Sequence, residues 1–111
     1  MKRERFWAKS YGQVIKDVDP KLFETSTTNL YRDTIKKNAK IPAYIFMGVP
    51  FTFAEIDRLT NQFANMLIKN GLKKGDVVGI NLPNIPAFPI AWLGTLKAGC
   101  VITGVSPLLS Q

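Results

Sequence analysis

The sequence predicts an α/β fold, and three features of it lead there. Val77 to Leu82 and Cys100 to Thr103 are short apolar runs of β-branched character without a charge. The segment between them carries Phe88, Trp92, Leu93 and Leu96 at helical spacing. Strand, helix and strand in that order, with uncharged strands, describe a parallel βαβ crossover buried on both faces. A small hairpin is expected ahead of this unit.

Residues 1–26 show no sustained period and include the turn signal Asp19-Pro20. They read as an arm with Phe6, Trp7, Tyr11 and Phe23 as anchors, packing on its own domain or on a second subunit as a homodimer contact. Residues 27–111 form the second region. Its first helix is predicted over Asn29 to Asn38, capped by Thr28, with Leu30, Tyr31, Ile35 and Ala39 on one face and Ile41-Pro42 as the stop. Lys36, Lys37 and Lys40 crowd its last turn, where cations suit the negative end of the helix dipole.

Ala43 to Met47 reads as a strand, Gly48-Val49-Pro50 as a turn and Phe51 to Phe53 as the returning strand. Thr52-Phe53-Ala54-Glu55 matches a capping box, in which the Thr hydroxyl and the Glu carboxylate each accept from the other's backbone amide. The helix it opens carries Ile56, Leu59, Phe63 and Leu67 along one face and ends at Asn70-Gly71. Leu72 to Asp76 is a turn before the Val77 strand. Pro83-Asn84 breaks that strand, and the next helix starts near Ile85 or Pro86, with Pro86 and Pro89 in a first turn that lacks intrahelical partners anyway. It closes at Lys97-Ala98-Gly99, and Gly104 to Gln111 is loop.

Composition excludes several classes of chemistry. The chain has 111 residues, 15 Lys or Arg against 8 Asp or Glu, a net charge of +7, one Cys and no His. Without imidazole there is no Ser/His/Asp or Cys/His arrangement within these residues and no His-containing zinc site. Cys100, amid apolar neighbours, reads as an inert core thiol. Neither G-x-G-x-x-G nor G-x-x-x-x-G-K-[ST] occurs. Glu55 is accounted for by capping, Asp76 by its turn, and no carboxylate pair is poised for acid–base work. No catalytic residue and no metal ligand is expected in this stretch.

From Val77 to Gln111 the only charged side chain is Lys97, and 19 of those 35 residues are apolar. So apolar a stretch needs covering, and the preceding residues offer few elements to do it, so the sequence reads as the front of a longer protein. The 20 uncharged residues from Val77 to Leu96 have the length of a membrane span, but Asn81, Pro83, Asn84, Pro86 and Pro89 oppose one continuous apolar helix. The N-terminus has basic residues without an apolar core, unlike a secretory signal. A cytoplasmic home is expected, with peripheral membrane association compatible with the basic arm.

Taken in order, Thr52-Phe53-Ala54-Glu55-Ile56-Asp57, Asn61, Gly71 to Val78, Leu82-Pro83-Asn84 and Leu93 to Gly99 resemble the opening of the adenylate-forming (AMP-binding) superfamily, the acyl-CoA synthetases and their relatives. The resemblance runs from Leu30 to Leu109. Trp7, Tyr11, Asp19-Pro20, Pro89-Ile90-Ala91 and Ser106-Pro107-Leu108 look most like long-chain fatty acid–CoA ligases. It implies that residues 27–111 start a large AMP-binding domain whose remainder lies in the same polypeptide. It implies a parent that uses ATP, CoA and magnesium to turn a fatty acid into acyl-CoA, AMP and pyrophosphate through an acyl-adenylate. The family's phosphate loop and catalytic lysine fall downstream, so the segment by itself is expected to be inactive.

One binding residue follows from the same resemblance. The loop Ile102-Thr103-Gly104-Val105-Ser106-Pro107 is similar to one that carries a Gly-Gly against the CoA nucleotide in acetyl-CoA synthetases. Gly104 matches the second glycine, Thr103 departs from the first, and Ser106 stands where long-chain members usually have Asn. The competing reading of Gly104 is a strand-end turn. The competing reading of the whole is a basic module for nucleic acid or an anionic membrane, drawn from the net charge and the aromatic, basic arm. With the ligase reading, no nucleic-acid partner is expected.

Overall fold

Ser26 opens the first helix because its backbone is extended (φ −77°, ψ 151°) and its hydroxyl accepts the Asn29 amide at 3.2 Å. The computed structural model describes residues 20–106 together with Ser10 and Leu108. Most of the arm, with Phe6, Trp7 and Tyr11, lies outside the described residues. Its last anchor, Phe23, ends a 3-10 turn over Pro20–Phe23 and is exposed.

Helix α1 spans Thr27–Asn38, so the cap is Ser26 rather than Thr28 and the helix begins two residues earlier than expected. Strands β1 (Pro42–Phe46) and β2 (Val49–Thr52) pair antiparallel, with Phe46 opposite Val49. The connecting turn is therefore the two residues Met47 and Gly48, not Gly48-Val49-Pro50. Both have positive φ (50° and 80°), the backbone a two-residue hairpin needs to match the right-handed strand twist. Phe53 belongs not to the returning strand but to helix α2 (Phe53–Lys69) as its first residue.

The capping box forms as read from the sequence. The Glu55 amide donates to Thr52 Oγ1 at 3.2 Å, and Glu55 Oε2 accepts from the Thr52 amide at 2.8 Å and its hydroxyl at 2.9 Å. These bonds hold the Glu55 carboxyl below its ordinary pKa. At the far end Gly71 takes φ +89°, and the Leu72 amide donates back to Leu67 O.

Strand β3 (Val77–Ile80), helix α3 (Ala87–Lys97) and strand β4 (Val101–Gly104) form the expected parallel βαβ unit, with Val77 beside Val101 and Ile80 beside Gly104. Asp76 serves the turn before it, accepting the Lys73 amide at 2.6 Å. Burial on both strand faces does not hold among the described residues. Ile80 is buried, while the paired Val77 and Val101 are 63% and 50% exposed. Alternation along β3 places one face toward the helices and leaves the other bare.

The core is the seam between α2 and α3. Ile56, Thr60, Ala64 and Leu67 of α2 meet Ala91, Leu93, Gly94 and Thr95 of α3. The large residues assigned to the α3 face are only partly used: Leu93 is buried, but Trp92 is 40% exposed. Small residues occupy the seam because the helices lie very close at Gly94. A Cβ there would sit 2.8 Å from Phe63 Cδ1 and 2.9 Å from the Thr60 carbonyl oxygen. The uncharged Val77 to Leu96 stretch is broken into a strand and a helix, and no described helix is long and apolar enough to cross a membrane.

Candidate functional site at the carboxyl edge of the parallel strands

Parallel α/β sheets bind ligands outside the carboxyl ends of their strands, where the strand-to-helix loops gather. Here that edge consists of Ile80 and Gly104, level with one another and joined beyond the pair by the Val105 amide donating to Ile80 O at 2.9 Å. The loop over residues 81–86 and the start of α3 follow β3 at the same edge; Val105 and Ser106 follow β4.

Gly104, the one candidate binding residue, is exposed at the last position of β4. Its φ lies outside the left-handed region, and no atom lies within 4 Å of where a Cβ would stand. Neither a turn conformation nor packing among the described residues requires glycine there. A bare backbone at a strand end suits close approach by another group.

The start of α3 is a poor anion cradle. Pro86 and Pro89 lack amide hydrogens, and the Phe88 amide is taken up by Ile85 O at 2.9 Å. The first turn therefore offers at most the Ala87 amide, against the several convergent donors that a phosphate needs.

Two features of the surroundings were not legible as sites. At the other end of the strands, separated from the start of β4 by three residues, Lys97 Nζ donates to Asp57 Oδ1 at 2.5 Å, Thr60 Oγ1 at 2.8 Å and Asn61 Oδ1 at 2.8 Å. The signal for it was present: a single charge in a long apolar stretch has to find a partner once half-buried. The other feature is an open apolar groove of about 470 Å³ between α1, the hairpin and the start of α3, walled by Tyr31, Tyr44, Phe46, Ile85, Phe88 and Trp92. The Phe88 and Trp92 rings pack against each other tilted by 38°, their centroids 5.7 Å apart. Partial burial of Tyr31, helped by the neighbouring Tyr44 phenol, pushes the Tyr31 pKa up to about 12.

Chemically the edge can bind but holds no acid–base apparatus among the described residues. Asp57 is paired with Lys97, Glu55 with its cap and Asp76 with its turn. Cys100 is buried, its thiol 3.5 Å from Lys73 O. Among the described residues no three Asp, Glu, Cys or His side chains converge, and no step is assigned to a metal ion here.

A profile of AMP-binding enzymes matches residues 31–111. The long-chain-fatty-acid–CoA ligase of Yersinia pestis is 35% identical over 107 residues, which is 95% of this chain and 19% of the relative. The chain thus spans about a fifth of the length of the curated relatives it matches. Among solved structures, the N-terminal subdomain of Klebsiella oxytoca NpsA superposes with a TM-score of 0.74 at 25% identity, over 77% of this chain and 22% of that one. A fatty acyl CoA synthetase of Mycobacterium tuberculosis gives 0.70 at 27% identity, over 75% and 17%.

Proposed function

The chain belongs to the AMP-binding enzyme family, and from that premise we propose that the polypeptide carrying it is a long-chain fatty acid–CoA ligase whose large N-terminal domain these residues open. One observation carries the choice of substrate. The identity to the Yersinia ligase extends over 107 residues and so reaches into the arm, beyond the residues that the family as a whole shares. A stand-alone basic module would not account for that reach.

In this reading the parent joins a fatty acid to AMP at the expense of ATP, releasing pyrophosphate. The thiol of CoA then attacks the acyl carbonyl and AMP departs. Residues 27–111 supply no reacting group to either step. Their part is to present the backbone of Gly104 at the carboxyl edge of β4, where the absence of a side chain admits the CoA nucleotide. The segment is inactive without the rest of the polypeptide. The parent works in the cytoplasm, with peripheral contact to the membrane that holds its substrate, and the arm over residues 1–26 supports a homodimer.

The test is the coupled reaction of the complete polypeptide with ATP, CoA and palmitate, against acetate and benzoate. Palmitoyl-CoA formed with stoichiometric AMP and pyrophosphate is the expected result. Preference for acetate or benzoate would reject the long-chain assignment, and no pyrophosphate release with any carboxylate would reject the ligase.

A further inference from the structure

Lys97 sits in the last turn of α3, its side chain only 15% exposed. An ammonium has three protons, and Asp57, Thr60 and Asn61, all on α2, accept them. Asn61 is steadied in turn, its amide donating to Asp57 Oδ2 at 3.4 Å. Ion pairs taken from water are weak sources of stability, because an apolar pair of similar volume holds two helices equally well. What a three-acceptor cradle adds is a single permitted position. Gly94, one turn earlier, supplies a second constraint by packing directly on Phe63 and the Thr60 carbonyl. Both constraints converge on Thr60, which is buried, so α3 can neither slide nor roll on α2 without breaking one of them.

The connection from this point to the carboxyl edge has no slack. Three residues separate Lys97 from β4. The Gly99 and Cys100 amides donate to Leu96 O and Thr95 O, the Gly75 amide donates to Gly99 O, and the Val101 amide donates to Asp76 O at 2.8 Å. A displacement at Lys97 therefore passes into the register of β4 on β3, and Gly104 is the far end of that strand.

We propose that Lys97 is a positioning residue for the CoA-binding edge, fixing Gly104 through β4 while touching no substrate. This rests on the ligase reading and on the placement of the CoA nucleotide at Gly104. The test compares Lys97→Met and Lys97→Arg in the complete polypeptide, reading pyrophosphate release without CoA and thioester formation as CoA is varied. For Lys97→Met the expected result is a fall of roughly 10- to 100-fold in kcat/KM for CoA, the range for sub-ångström to ångström misplacement. Pyrophosphate release should be retained and Lys97→Arg should restore the CoA step. Equal loss in both steps, or loss in neither, would overturn the proposal, since a purely structural role lowers both together. Should Lys97→Met fail to accumulate folded, Asn61→Leu removes one acceptor and is held to the same two readings. Wild-type protein that forms no acyl-CoA at all would overturn the ligase reading and the proposal with it, whereas active wild type with an unsplit variant overturns the proposal alone.

Discussion

Gly94 and Thr60 are the residues on which the packing of the two central helices turns. Alanine is the better helix former by about 1 kcal/mol, yet at Gly94 its Cβ would meet Phe63 at 2.8 Å and the Thr60 carbonyl at 2.9 Å. Backbone cannot move aside as a flexible side chain can, so overpacking wins. Gly94→Ala is expected to destabilise by about 1–3 kcal/mol, read as a lower urea midpoint at unchanged slope; a raised midpoint would show that the helices separate freely. Glycine at this position was visible in the sequence, but its reason was not. Helical spacing marked Trp92 and Leu93 as packing residues, while the contact itself is made by the smallest residue between Leu93 and Thr95.

At the scale of elements, α1 has no fully buried residue, and its half-buried Tyr31 sets it beside Tyr44 of the hairpin. That contact is sensitive to alkali. Tyr31 holds its proton up to about 12 in the folded chain against 10.0 ordinarily, because burial and the neighbouring phenol disfavour phenolate. A raised pKa means that the contribution is fully present below the ordinary value and is lost as pH rises through the folded one. Docking of α1 should therefore weaken between pH 10 and pH 12, and Tyr31→Phe should remove that part of the dependence. A melting temperature that falls across the interval as steeply in Tyr31→Phe as in the native chain would contradict the assignment. Element boundaries were legible where side chains enforce them, as in the Thr52–Glu55 box and the Asn70-Gly71 stop. They slipped at Ser26, where four hydroxyl residues in a row, Thr25 to Thr28, could cap, and at Met47, where a non-glycine residue takes positive φ.

For the molecule as a whole, the bare face of β3 and β4 dominates. Two strands, each with an unpaired edge among the described residues, expose Val77 and Val101 side by side. Open edges and contiguous apolar surface invite pairing with another chain. Residues 1–111 expressed by themselves are expected to self-associate, and Val77→Thr with Val101→Thr should lower the association. A sedimenting mass of 12.4 kDa at high concentration would refute this. The sequence foretold an excess of apolar residues after Val77, and the structure leaves Val77 and Val101 exposed on the sheet, Trp92 on α3, and Val105 and Leu108 beyond β4.

What the amino-acid order determined by itself was local: helix caps, the glycine stops, the uncharged strands and the proline-led start of α3, all set by groups within a few positions of one another. Its ordered motifs also carried the family. What only the tertiary structure decided was long-range, above all that Lys97 meets Asp57, Thr60 and Asn61 some forty residues back, and that an aromatic groove opens between three elements. Periodicity says which face of a helix is apolar, but the distance and angle at which two helices meet depend on the joint shape of both surfaces, and that is specified by no single segment.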